Sequence, residues 1–86
     1  MVMEEVFEKV LNKIVVPMND RLSGVKVERS NNLNNVYDVT YYINDRIDYK
    51  DGYDIERETK NIFNMLGKNQ MESFIISYEK GEGFFE

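Results

Sequence analysis

Val36-Tyr37-Asp38-Val39-Thr40-Tyr41-Tyr42-Ile43 is the stretch whose reading decides the fold. It is the richest run of β-branched and aromatic residues in the chain, the composition that suits a pleated, half-buried surface. Successive side chains of a strand point to opposite faces. Tyr37, Val39, Tyr41 and Ile43 therefore share one face, apolar or amphipathic, that should meet a core. Val36, Asp38, Thr40 and Tyr42 share the other, which carries a carboxylate and a hydroxyl and suits water. The rest of the chain is placed by asking what covers the first face.

Working upstream, residues 25–30 alternate Val25, Val27 and Arg29 with Lys26, Glu28 and Ser30, which predicts a strand whose two valines join the core. Asn31-Asn32-Leu33-Asn34-Asn35 links it to the Tyr-rich strand as a hairpin loop, because Asn tolerates positive φ and bonds its own backbone. Residues 19–24 read as a turn. Before them, Val6, Phe7, Val10, Leu11 and Ile14 recur at helical spacing over residues 3–16, with acids early and lysines late, as the helix dipole favours. Pro17 ends or kinks this helix, and Val15 and Met18 extend its buried surface past the break.

Downstream, residues 44–54 are polar and rich in Asp. A second helix should begin near Asp51 or Asp54, either of which can cap it. Ile55, Thr59, Ile62, Phe63 and Leu66 line its apolar face, and Gly67 marks its end as a left-handed C-terminal residue. Residues 71–79 form a third strand, with Phe74, Ile76 and Tyr78 on one face and Ser73, Ser77, Glu79 and an apolar intruder, Ile75, on the other. Residues 80–86 make a Gly-hinged tail, flexible or folded back over the sheet.

The expected fold class is α+β: one small domain over residues 1–86, in the order α-β-β-α-β, with two helices on one face of a three-stranded sheet. The third strand can pair with the first, antiparallel, or with the second through a right-handed crossover. The half-polar alternation favours the all-antiparallel sheet.

Composition narrows function. The 86 residues include no His and no Cys, which removes the usual general base, thiolate chemistry and the commonest metal ligands. A net charge of −5 opposes nonspecific attraction to phosphate backbones and anionic lipids. No apolar run is long enough to span a membrane, and Met-Val-Met-Glu-Glu lacks the positive start of a signal peptide, so a cytoplasmic location is expected. The absence of Ala, with abundant Asn, Lys, Ile and Tyr, fits the coding bias of an AT-rich genome, such as that of a phage or a marine microbe.

No catalytic, cofactor-binding or metal-binding constellation emerges. Asp45, Asp48, Asp51 and Asp54 recur at every third position, but against a Ca²⁺-loop template anchored on Gly52 the first ligand positions fall on Ile47 and Tyr49. Gly81 and Gly83 follow the last strand, so they open no phosphate-binding helix. The strand–helix order resembles type II KH domains, yet the GxxG loop between two consecutive helices is missing. Lys26, Arg29, Arg46, Lys50 and Arg57 are interleaved with acids, which argues against nucleic acid as a partner.

What remains is an aromatic surplus. Tyr42 and Ile75 on the open sheet face, Tyr49 and Tyr53 in the acidic loop, and Phe84 and Phe85 in the tail form the candidate interface. The sequence thus points to a non-enzymatic interaction or structural protein whose partner is another protein or itself, as a homodimer. The alternatives are a nucleic-acid-linked regulator, as weak binder or acidic mimic, and a cation-dependent module.

Overall fold

The structure is a computed structural model that describes residues 2–67 and 71–84. Helix α1 (Met3–Ile14) leads through a 3₁₀ turn (Val16–Met18) into strand β1 (Leu22–Arg29). Strand β2 (Val36–Ile43), helix α2 (Tyr49–Leu66) and strand β3 (Ser73–Lys80) follow. The chain has the expected α+β order, with the Tyr-rich strand at the centre of the sheet.

The alternation of β2 holds residue by residue. Tyr37, Val39 and Tyr41 are wholly buried, Ile43 packs at the core's rim, and Asp38 lies exposed on the other face. Phe7 and Leu11 of α1, with Ile55, Thr59, Ile62 and Phe63 of α2, close over the inner face, joined by Val25 and Val27 of β1. Helix α1 ends two residues sooner than the spacing predicts. Phe7, Leu11 and Val15, four residues apart, form its buried stripe, while Ile14 and Met18 stay about half exposed. Asn35 supplies the positive φ of the hairpin loop, and the Ser30 hydroxyl accepts from the Asn32 and Leu33 N–H groups.

Four expectations are corrected. Strand β3 pairs parallel with β2, giving the order β1-β2-β3 in a mixed sheet rather than an all-antiparallel one. The place beside β1 is already taken, because side chains of α1 occupy that edge, as described below. Helix α2 starts at Tyr49, not at Asp51 or Asp54. Asp48 is its N-cap, accepting from the Asp51 N–H at 2.8 Å while the Asp51 carboxylate accepts from the Asp48 N–H, a reciprocal capping box. Strand β1 begins inside the expected turn, at Leu22, and a bulge between Leu22 and Gly24 takes up the extra residue. Gly67 is extended (φ −78°, ψ 122°) rather than left-handed, and the need for glycine is steric: a Cβ there would stand 2.9 Å from the Phe63 carbonyl oxygen.

The core contains two tyrosines whose hydroxyls are spoken for. Tyr41 bonds Thr59 at 2.6 Å, and Tyr37 donates to Glu72 at 2.7 Å with Arg29 beside it. Burial, reinforced by the Glu72 carboxylate, pushes the Tyr37 hydroxyl up to about 12, and burial pushes Tyr41 upward as well. Both groups prefer the neutral form in the folded state. The stability they contribute is complete below the unfolded-chain value of about 10 and is lost as pH rises through the folded values. Ultraviolet titration of the phenolates should therefore show Tyr37 and Tyr41 ionising together with unfolding above about pH 10. Their ionisation while circular dichroism remains native would contradict this burial.

Candidate functional site

The two edges of the sheet differ. Along β1, the Asn12 side chain of α1 behaves as a substitute strand: its Nδ2 donates to the Val25 carbonyl at 3.0 Å and its Oδ1 accepts from the Val25 N–H at 3.2 Å. One turn earlier, the Glu8 carboxylate accepts from the Val27 N–H at 2.8 Å. Residues four apart on a helix share a face, so Glu8 and Asn12 together occupy this edge at Val25 and Val27.

No such seal covers β3. The Ser73 N–H donates to the Asn35 carbonyl at 2.9 Å and the Gly81 N–H to the Ile43 carbonyl at 2.7 Å. The odd-numbered residues of this strand thus spend their backbone groups on β2. The alternation of a strand turns the N–H and C=O of Phe74, Ile76 and Tyr78 the opposite way, toward the outside. Among the described residues, none donates to or accepts from those groups. Backbone polar groups left this way form a template for another strand.

Beside this edge lies an open cleft of about 690 Å³. Ile76 and Tyr78 form its strand wall, Tyr49 and Tyr53 its helix wall, and Ile47 and Phe84 its end. Tyr49 and Tyr53 are 93% and 60% exposed, so their rings offer surface instead of filling the core. Tyr78 stacks on Tyr41 with ring centroids 6.2 Å apart, and burial followed by the nearby Glu56 raises its hydroxyl pKa. Phe84 reaches the cleft through a tight turn. Its N–H donates to the Gly81 carbonyl at 3.3 Å, and Gly83 supplies the φ of +85° that this turn needs. Gly81 passes so close to the sheet that a Cβ would lie 2.7 Å from the Ser23 hydroxyl oxygen.

The residues of the candidate interface are thus divided. Tyr49, Tyr53 and Phe84 come together in the cleft, whereas Tyr42 and Ile75 stand on the opposite, open face of the sheet. Phe85 lies outside the described residues. The tail turns toward the cleft and leaves Ile75 about half exposed. Sequence reasoning missed Tyr78 and Ile76 as surface residues, because alternation assigns them to the core face. They reach the cleft because the part of α2 opposite them carries Gly52 and Glu56 instead of apolar side chains.

The acids of residues 45–54 serve the architecture. Besides capping, the Asp51 carboxylate accepts from Asn19 at 3.0 Å and pairs with Arg21. Desolvation pushes the Asp51 pKa upward, but bonds from the Asp48 N–H, Arg21 and Asn19 outweigh it and leave the carboxyl below its ordinary range. The Asp45 side chain accepts from the Arg46 N–H. Among the described residues, no three acids gather as a metal site would need. The basic residues are also dispersed: Lys26 pairs with Glu28, Arg29 with Glu4 and Glu72, and Arg57 with Asp54 and Glu58. No helix among the described residues is long and apolar enough to cross a membrane. Comparison with known family models, curated proteins and solved structures finds no match to this chain.

Proposed function

We propose that this chain is a non-enzymatic protein–protein interaction module that accepts an extended segment as an added strand on β3. The observation that carries the reading is the asymmetry of the edges. Asn12 and Glu8 seal β1, while Phe74, Ile76 and Tyr78 present three outward N–H and C=O pairs next to an aromatic cleft. In strand addition, main-chain hydrogen bonds supply affinity and pockets for alternate side chains supply selectivity. A strand laid along β3 would send every second side chain toward Tyr53 and Tyr78 in the cleft.

Selection of extended peptides from a random displayed library tests this directly. With the chain diluted until it is monomeric, bound peptides should slow amide exchange at Phe74, Ile76 and Tyr78 by about tenfold or more, or about 1.4 kcal/mol of added protection. The exchange of Ser73 and Ser77, already bonded to β2, should hardly change. Ile76→Pro removes an outward N–H that no internal bond uses, so it should abolish capture while the sheet persists. Peptides that bind while the three edge amides exchange as before would refute the reading.

A further inference from the structure

We infer that the strand β3 accepts is β3 of a second copy, paired antiparallel about a twofold axis at Ile76. This rests on the edge-docking reading above and names its partner. A symmetric antiparallel pair sets residue i opposite j and j opposite i, so one strand must complement its own reverse. Strand β3 does so best in a single register. With Ile76 facing its own counterpart, Phe74 stands opposite Tyr78 of the second copy, an aromatic cross-strand pair made twice. Ser73 stands opposite Glu79, and Glu72 opposite Lys80, so no like charges meet.

The neighbouring registers are poorer. Centring on Ser77 sets Lys80 against Phe74 and Glu79 against Ile75. Centring on Ile75 sets Tyr78 against Glu72, whose carboxylate is turned inward to the Tyr37 hydroxyl.

The same register accounts for Ile75, the apolar residue left about half exposed on an otherwise polar face. It lies opposite Ser77 of the second copy, which makes the two copies of Ile75 diagonal neighbours across the axis, within reach of each other. The outward groups of Phe74, Ile76 and Tyr78 then exchange hydrogen bonds with the same groups of the second copy. The product is a continuous sheet in the order β1-β2-β3-β3-β2-β1. Both of its outer edges are β1, and both are sealed by Asn12 and Glu8. A second copy therefore covers the edge that side chains of α1 do not reach.

The chain has no cysteine, so single thiols report the register cleanly. Ile75→Cys and Ser77→Cys are separately prepared, mixed and oxidised. Both positions are on the exposed face, and in this register each opposes the other across a non-hydrogen-bonded pair, where side chains approach most closely. The mixed disulfide should be most of the product, whereas random collision gives it only half. Light scattering should read a dimer for the parent chain and a monomer for Ile76→Pro, with circular dichroism showing that the variant is folded. A statistical disulfide mixture overturns the proposal, as does a parent chain that is strictly monomeric at high concentration. A monomer that still captures the selected peptides overturns self-pairing alone, and a monomer that captures none overturns the edge reading too.

Discussion

Phe7→Ala should cost about 3–5 kcal/mol, enough to bring the protein close to unfolding at room temperature. Phe7 is wholly buried, and its ring meets those of Tyr37, Phe63 and Phe74 at centroid distances of 6.4, 5.4 and 6.2 Å. These rings come from α1, β2, α2 and β3, so the side chain is the point where the layers meet. Truncation removes the transfer free energy of the ring and leaves a cavity whose walls, held by three separate elements, can collapse only in part. The expected stability of a chain this size is roughly 4–13 kcal/mol at typical values per residue. Thermal or urea unfolding should show a midpoint lowered by about 12 °C or more. Phe7→Leu, which keeps most of the volume, should cost much less. A loss below about 1 kcal/mol for the alanine variant would show that the four rings do not form one packed unit.

Thr59→Val should cost about 2 kcal/mol, and adding Tyr41→Phe should recover part of that loss. Thr59 is the buried polar residue on α2. Its hydroxyl donates to the Ile55 carbonyl at 2.6 Å, one turn back. Its one proton is thereby used, so the Tyr41 hydroxyl, 2.6 Å away, is the donor in the second bond. Valine has the same shape but no acceptor, which strands the Tyr41 O–H at a fully buried position. Leaving a buried donor unmade costs more than removing both partners. The double variant should therefore be more stable than Thr59→Val alone, as measured by chemical denaturation of all four members of the cycle. A double variant whose cost is the plain sum of the two singles would mean that the hydroxyls do not depend on each other.

Much of this architecture was legible because local pattern and burial agree. The alternation from Val36 to Ile43 and the helical spacing of Phe7 with Leu11, and of Ile55 with Ile62, each point to one face. The errors have distinct physical origins. Glu8 fits the helix dipole as an early acid, and nothing local to Glu8 or Asn12 says that they will occupy the backbone of β1. Half-polar alternation alone favours an antiparallel partner for β3, and it carries no trace of the side chains that occupy the edge of β1. The start of α2 was ambiguous for another reason. With Asp45, Asp48, Asp51 and Asp54 each three residues apart, the spacing of a capping box recurs along the whole loop. The choice among them was settled by Arg21 and Asn19, which hold Asp51 from a distant part of the chain. Tyr49, Tyr53 and Phe84 could be picked out because polar or glycine-rich surroundings leave large rings uncovered. Tyr78 could not, since its position in the alternation is that of a core residue.

The seal on β1 belongs to a helix rather than to the strand it protects. Any event that lifts α1 away strips Asn12 and Glu8 from Val25 and Val27 together. Under the β3 pairing we infer, such a chain has two adhesive sides in place of one. Molecules with one such side stop growing once they meet, whereas molecules with two propagate into filaments. On that pairing, the docking of this first helix separates finite assembly from open-ended polymerisation.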